Sequence, residues 1–207
     1  MFCEGGSAPE LVGCTIARNS SGVACVSYYG PWKREFAPST PLLIACTLSE
    51  NGGSDGNALG AARSNPTLVN CLVVGNSGTG DGRAIKVSDG SVLTVTNCTI
   101  ADNRGSPGGA IVCSGALALL TNSIVWGNGA EPIVSWPIGV VAIQFSCVEG
   151  EGELPGIGNM RSDPLFVQLG SWNDNGTPDD LTDDVWTRGD YRLRPESPCI
   201  GAGTFEA

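Results

Sequence analysis

The sequence predicts an all-β fold, a right-handed parallel β-helix (a solenoid) with a non-repetitive C-terminal cap. Three observations predict it. A strand-and-turn motif recurs over residues 1–150, and every clear copy carries an asparagine at one fixed place. The sequence is also rich in glycine, with 30 residues, and shows no helical hydrophobic period. Hydrophobic residues make up 41% of the 207 residues, which fits a folded domain with a core.

Five segments align on one strand and the turn that follows it. The residue two places after the centre of each segment is apolar, so it shares a strand face with the central residue. In coils about 4.8 Å apart, equivalent side chains stack as ladders inside the helix, and stacked asparagines can hydrogen-bond one another. An asparagine at each turn also tolerates unusual backbone angles. The central residues are Cys14, Cys46, Cys71, Cys98 and Ser123, and the residues five places later are Asn19, Asn51, Asn76, Asn103 and Asn128.

The ladder cysteines are interpreted as small buried hydrophobic residues. Neighbouring thiols would lie within disulfide range, but parallel side chains point the same way, so bridging would require distortion. The nine cysteines include no C-x-x-C pair, which argues against a thiolate metal site. Cys147 and Cys199 flank the C-terminal segment and could pair if the protein is exported.

The repeat places about six coils over residues 1–150 and a cap over residues 151–207 within the same domain. A weaker sixth copy is centred on Ser146, and the repeat stops soon afterwards. The pattern begins in mid-coil at Phe2, so the N-terminal coil is incomplete. Because an open solenoid end exposes unpaired strand edges, we expect either further coils before Met1 or a partner chain that covers this end.

Charge and composition exclude several functions. The net charge of −10, with only 11 Lys and Arg residues, argues against a nucleic-acid partner. The absence of histidine excludes Ser-His-Asp and Cys-His catalysis and histidine-ligated metals. The apolar stretches are too short for a transmembrane segment. No export signal is recognisable, so the signal of an exported protein would lie outside this chain.

A long turn in the first coil is the predicted ligand-binding region. Cys14 and Cys46 are separated by 32 positions, whereas the next three spacings are 25 to 27. Loops on solenoids carry function, and this one offers aromatic rings for stacking on sugars and charged groups for uronates or hydroxyls. The alternative is a turn whose aromatic residues cover the side of the helix. The predicted residues are Tyr28, Tyr29, Trp32, Lys33, Arg34 and Glu35.

An acidic insert in the cap, from Trp172 to Trp186, is the predicted calcium site. Dense Asp and Asn oxygens around glycine turns suit Ca²⁺, although the spacing and the final Glu of an EF-hand are missing. The alternative is a solvated acidic loop. The predicted ligands are Asp174, Asn175, Asp179, Asp180, Asp183 and Asp184.

Four charged residues on a second strand and its turns are the catalytic candidates. Lyases and glycosidases with this fold use carboxylates, Arg and Lys on one strand face. Arg83 and Lys86 are three positions apart and cannot share a face of a regular strand, which argues against catalysis. The four residues are Asp81, Arg83, Lys86 and Asp89.

The motifs of the second half resemble a known group of proteins. The segment Asn122–Asn128, the motif Asp163-Pro-Leu-Phe166 and the stretch from Asp190 to Gly203 accompany the Asn-Cys-Thr-Ile repeats. Together they resemble bacterial right-handed parallel β-helix surface proteins of the choice-of-anchor or polymorphic outer-membrane-like kind. One departure is Gly201, where such proteins usually have Asp. The resemblance implies an exported or cell-surface protein.

We therefore expect an extracellular or cell-surface module that binds or presents to polysaccharide, and the residues favour binding over catalysis. One alternative is a polysaccharide lyase or glycoside hydrolase that acts on acidic polysaccharide with Ca²⁺. The other is a structural stalk of a surface or adhesin protein. The fold alone does not decide among the three, because one fold serves many functions.

Overall fold

Three parallel β-sheets wrap around one apolar core, and six strands stack in each sheet. The structure, a computed structural model, describes residues 1–27, 37–53, 58–78, 84–105, 109–177, 179–180 and 183–205. The chain visits sheet 1, sheet 2 and sheet 3 in turn and then starts the next coil. The predicted right-handed parallel β-helix is therefore confirmed. In the part of the chain that the structure describes, no helix is long and apolar enough to cross a membrane.

The strands of the three sheets are short and follow one another at regular intervals. Sheet 1 stacks β1 (Phe2–Glu4), β4 (Val23–Val26), β7 (Leu59–Ala62), β11 (Ile85–Ser88), β15 (Ile111–Ser114) and β18 (Ile133–Trp136). Sheet 2 stacks β2 (Glu10–Val12), β5 (Leu42–Ile44), β8 (Thr67–Val69), β12 (Val92–Thr96), β16 (Leu117–Thr121) and β19 (Val140–Gln144). Sheet 3 stacks β3 (Thr15–Ala17), β6 (Thr47–Ser49), β9 (Leu72–Val74), β13 (Thr99–Ala101), β17 (Ile124–Trp126) and β20 (Cys147–Val148).

Among the described residues, three smaller pairs of strands accompany the three sheets. Two neighbouring coils each have a further short strand after sheet 3, β10 (Ser77–Gly78) and β14 (Arg104–Gly105), and these two strands pair in parallel. The C-terminal segment forms two antiparallel pairs. They are β21 (Phe166–Gln168) with β24 (Asp190–Leu193), and β22 (Ser171–Asn173) with β23 (Val185–Thr187).

The core consists of apolar side chains in register from coil to coil. Leu43 of β5 pairs with Leu68 of β8, and both are fully buried. The apolar position that the repeat predicts two residues after each centre forms a second ladder in sheet 3, where Leu48 pairs with Val73. Because strand side chains alternate between faces, the inner face is apolar while its neighbours point outward. The predicted register is confirmed.

The asparagine ladder runs beside this core after sheet 3. The Asn76 side-chain NH₂ donates to the Asn103 Oδ1 at 2.8 Å, and the Asn51 NH₂ donates to the Asn76 Oδ1 at 3.0 Å. Each Oδ1 also accepts from the backbone N–H of the preceding ladder residue, at 3.0 Å for Asn51. From Asn51 to Asn128 the ladder is buried. The predicted hydrogen-bonded ladder is therefore confirmed.

The tight corners of each coil are made by the residue before each ladder position. The φ angle is +54° at Glu50, before Asn51, and +52° at Ala45, before Cys46. The ladder asparagines themselves do not adopt the left-handed angles that asparagine tolerates, because the preceding residue turns the chain. Left-handed backbone costs a non-glycine residue about 1–2 kcal/mol, and the corner at Gly75 avoids this cost.

The cysteine ladder forms the corner between sheets 2 and 3. Cys46, Cys71 and Cys98 are at most 3% exposed, as predicted, whereas Cys14 in the first coil is exposed. The ladder residues also accept hydrogen bonds. The Cys98 Sγ accepts from the Cys71 N–H at 3.3 Å, and the Ser123 Oγ accepts from the Cys98 N–H at 3.2 Å. The thiols are therefore hydrogen-bonding groups as well as apolar ones.

Replacing Cys98 with serine is expected to change the free energy of unfolding by less than about 1 kcal/mol, because a hydroxyl can still accept from the Cys71 N–H. Cys98→Ala removes this acceptor and should cost about 1–3 kcal/mol. Urea unfolding of both variants measures the difference. Equal losses in the two variants would contradict a hydrogen-bonding role for the ladder.

The C-terminal segment extends the stack and then folds back along its side. Met160 pairs with Cys147 at the edge of sheet 3. The Asn159 Oδ1 accepts from the Ser146 N–H at 3.1 Å, and Asn159 thus takes the place of the next residue in the cysteine ladder. The chain then crosses the outer face of sheet 3, where Phe166 and Trp186 pack on Val74 and Ala101 in a second apolar cluster. The cap thus places a hairpin beside the turns of the central coils.

Candidate functional site

The β22–β23 hairpin is seated on sheet 3 by Trp186, which is 9% exposed and contacts the second apolar cluster. Gly75 lies directly beneath the indole. A Cβ at Gly75 would approach the Trp186 ring to 2.2 Å, and the φ of +60° there also favours glycine. Gly75 therefore turns the chain at the corner of the coil and also leaves room for the Trp186 indole.

Asp102 fastens the cap to the central coils. Its Oδ2 accepts from the Gly170 N–H and from the Tyr191 hydroxyl, both at 2.6 Å. Its main-chain carbonyl accepts from the Trp172 Nε1–H at 2.9 Å. Burial raises the pKa of Asp102, and the charge of Glu149 adds to that shift, while the two donors act against it. One buried carboxylate thus holds two separate parts of the cap.

A second polar contact holds the far end of the hairpin. The Asp184 carboxylate, with a side chain only 1% exposed, accepts a hydrogen bond from the Arg104 guanidinium. The same guanidinium lies over the Trp172 ring at 5.2 Å from its centroid. Trp172 and Trp186 face each other with centroids 6.3 Å apart and ring planes inclined by 41°. The two indoles of the hairpin are therefore held in a fixed arrangement.

A pocket of about 420 Å³ opens between this hairpin and the turns of two coils. Residues 50–53 of one coil and Gly75, Ser77 and Gly78 of the next coil line one side of the pocket. The hairpin lines the other side. Arg18 lies at the rim, where its Nε donates to the Glu50 carboxylate at 2.9 Å. The hairpin residues that line the pocket are Trp172, Asp184 and Trp186.

Two buried oxygens of the pocket lining have no hydrogen-bond partner among the described residues. They are the Ser77 Oγ and the Asp184 Oδ1. An unpaired buried polar group costs about 1–3 kcal/mol, so such groups in a pocket are natural partners for a ligand. The Trp186 Nε1 is also unpaired, but it lies against Gly170. The pocket thus combines aromatic walls with a few convergent polar atoms.

The predicted ligand-binding turn, from Tyr28 to Glu35, lies outside the described residues, so its role stays a prediction. Of the catalytic candidates, Asp81 and Arg83 also lie outside them. Lys86 points outward from sheet 1 and is half-buried, whereas Asp89 is exposed in the turn after β11. The pocket described above is on another side of the coil and uses neither residue.

The predicted calcium ligands are spread along the hairpin and its loop. Asp183 accepts from the Thr177 hydroxyl at 2.9 Å, Asp184 is paired with Arg104, and the Asp174 Oδ1 accepts from the Gly176 N–H at 3.0 Å. Asn175 donates to the Asp183 carbonyl, while Asp179 and Asp180 are exposed. Over the described residues, no group of three or more Cys, Asp or Glu is arranged to hold a metal ion. Calcium binding stays a prediction.

Cys147 and Cys199 meet where the cap covers the last coil. All nine cysteines are free thiols. The interaction between these two thiols lowers the pKa of Cys199 and raises that of Cys147, and the Cys147 Sγ donates to the Ser162 carbonyl at 3.0 Å. The disulfide predicted between them stays a prediction.

The insert from Trp172 to Trp186 could be identified from the sequence, whereas the coil residues opposite it could not. Asp102 and Arg104 carry no signal in the repeat, because the corresponding positions of other copies hold unrelated residues. Ser77 follows the ladder asparagine in a turn that the repeat leaves variable. The pocket arises from two parts of the chain about 100 positions apart, which only the fold brings together.

Fold and pocket together define a β-helix protein with a lateral pocket. A family model described as "Right handed beta helix region" matches residues 1–128, and the chain belongs to this family. No curated protein and no solved structure matches the chain. The fold supports a carbohydrate-related or surface module in general.

Proposed function

We propose that this protein is an extracellular or cell-surface β-helix module that binds polysaccharide in the pocket beneath the β22–β23 hairpin. The resemblance of its C-terminal motifs to bacterial surface β-helix proteins supports the location. The pocket itself carries the proposal for binding. Its lining pairs two indoles with buried polar oxygens, and that combination suits a ligand with apolar C–H faces and many hydroxyls.

Binding agrees better than catalysis with the carboxylates of the pocket. Glycoside hydrolysis needs one carboxylic acid that donates a proton and a second carboxylate that acts as base or nucleophile. Here Glu50 accepts from Arg18, and Asp184 accepts from Arg104. Both carboxylates are therefore engaged by arginine side chains, and the described lining residues offer no pair of free carboxylates for this reaction.

The proposal is tested with a glycan array probed by the purified full chain. Trp172→Ala is expected to weaken binding to any captured glycan by about tenfold or more, because it removes one aromatic wall of the pocket. Titration calorimetry with the captured oligosaccharide measures the change. Thermal unfolding of the variant shows whether the hairpin is retained.

Trp126→Ala is the matched control. Trp126 packs against the same apolar cluster as the hairpin but does not line the pocket. Its replacement should lower stability and leave glycan affinity within about twofold of the parent. Absence of binding to every neutral and acidic glycan on the array would refute the proposed function.

A further inference from the structure

We infer that the pocket selects a neutral, hydroxyl-rich sugar unit and discriminates against uronates and other anionic sugars. This inference rests on the proposed function and names its ligand class. It departs from the acidic polysaccharide expected for a lyase of this fold, because the groups that line the pocket are unsuited to an anion.

The charges of the pocket are already balanced within the protein. Glu50 is held by Arg18 at 2.9 Å and Asp184 by Arg104, so each carboxylate has one arginine. Arg18 is the basic residue among the described residues that line the pocket. A bound uronate would have to compete with Glu50 for Arg18, and it would also lie near the two pocket carboxylates, whose like charge disfavours an anionic ligand relative to a neutral one.

The unpaired atoms of the pocket require hydrogen-bond donors. A carboxylate oxygen only accepts, so the Asp184 Oδ1 needs a donor from the ligand. A sugar hydroxyl provides one, whereas a uronate carboxylate near this oxygen would be repelled by it. The Ser77 Oγ can donate to or accept from a second hydroxyl. Both oxygens therefore suit hydroxyl groups of a neutral sugar better than a carboxylate.

The size and the walls of the pocket fit a short unit of a chain. A volume of about 420 Å³ lies at the low end of the usual range for ligand sites. The indoles of Trp172 and Trp186 offer flat apolar surfaces for the C–H face of a ring. The ligand is thus a few sugar rings at most, with hydroxyls directed to Ser77 and Asp184.

The test compares neutral and uronate oligosaccharides of equal length, such as hexoses and their C6-oxidised counterparts, by calorimetry on the full chain. The unaltered protein should bind the neutral series at least about tenfold more tightly. Ser77→Ala removes one hydroxyl and little volume, and it should weaken neutral binding about three- to tenfold. Glu50→Gln releases Arg18 from a charged partner, and it should raise the ratio of uronate affinity to neutral affinity about threefold or more.

The outcomes separate the ligand class from the function. Neutral preference with the two expected variant effects supports the inference. Tighter binding of uronates, lost in Trp172→Ala, would overturn the inference and leave the proposed function intact. Neutral binding that Ser77→Ala does not change would also overturn it. No binding of either series in any arm would overturn both proposals.

Discussion

Replacing Asn76 with alanine is expected to lower the free energy of unfolding by about 4 kcal/mol. The side chain is fully buried and donates to the Leu48 carbonyl at 3.0 Å and to the Asn103 Oδ1 at 2.8 Å. Its own Oδ1 accepts both the N–H and the side-chain NH₂ of Asn51, each at 3.0 Å. Alanine removes all of these bonds at once and leaves the Asn51 N–H buried without an acceptor. Chemical unfolding monitored by circular dichroism measures the loss.

Asn19→Ala is the control at the exposed end of the ladder, where the side-chain NH₂ that is lost donates to the Asn51 Oδ1 at 2.9 Å and to the Ala17 carbonyl at 3.0 Å. It should cost no more than about 1 kcal/mol, because water replaces the lost bonds at an exposed site. Asn76→Asp tests the donors separately. The new carboxylate would face the carbonyls of Leu48 and Val74, and burial and repulsion make its charged form unfavourable there. The stability of Asn76→Asp relative to Asn76→Ala should therefore rise as the pH falls and the new acid becomes protonated. Equal losses at positions 19 and 76 would show that the ladder does not act as a unit.

Much of the fold could be predicted from the sequence because the repeat states the same physical requirement in each coil. Leu48, Val73 and Ile100 are apolar at one offset because that offset faces the core in every coil. The buried asparagines recur because each one satisfies the backbone of the coil before it. What recurs for one reason can be recognised in a single sequence.

The pocket and the cap contacts could not be predicted because they occur once. Asp102 has the same corner role as Glu50 and Gly75, and the corner alone gives no reason for an acid. Its second role depends on Gly170 and Tyr191, which reach it only after the cap has folded back along sheet 3. The acidic insert was recognised by composition, yet composition could not foresee that Asp184 turns inward to Arg104.

The turn residues beside Asn76 belong both to the repeat, which could be predicted from the sequence, and to the pocket, which could not. Gly75 and Ser77 flank the buried Asn76, so the ladder that stabilises the coils also fixes one side of the pocket. Solenoid repeats commonly provide a rigid base on which unique loops form a site, and here the loop is the cap hairpin. We therefore expect Asn76→Ala to weaken glycan binding as well as stability.

The cap itself should depend on Asp102. Asp102→Ala is expected to cost about 3–4 kcal/mol, because it removes two charge-assisted hydrogen bonds and places alanine at a φ of +54°. The release of the hairpin would expose Trp186, so tryptophan emission should shift to longer wavelength and protease should cleave within residues 170–187. Asp102→Gly relieves the backbone strain but does not restore the lost hydrogen bonds. It should therefore lower the free energy of unfolding by only about 1 kcal/mol less than Asp102→Ala does.

Asp102→Asn is the conservative partner in this comparison. An amide oxygen in the place of Oδ2 can still accept from the Gly170 N–H and the Tyr191 hydroxyl, and asparagine tolerates the positive φ, so the loss should stay within about 1 kcal/mol. The pH dependence distinguishes the two side chains. Because burial raises the pKa of Asp102 in the folded state, folding favours its protonated form, and the wild type should gain stability relative to Asp102→Asn as the pH falls from neutral through that raised pKa. A difference that does not vary with pH would contradict the raised pKa of Asp102, whereas an alanine variant as stable as the asparagine one would mean that the cap is held by its apolar contacts alone.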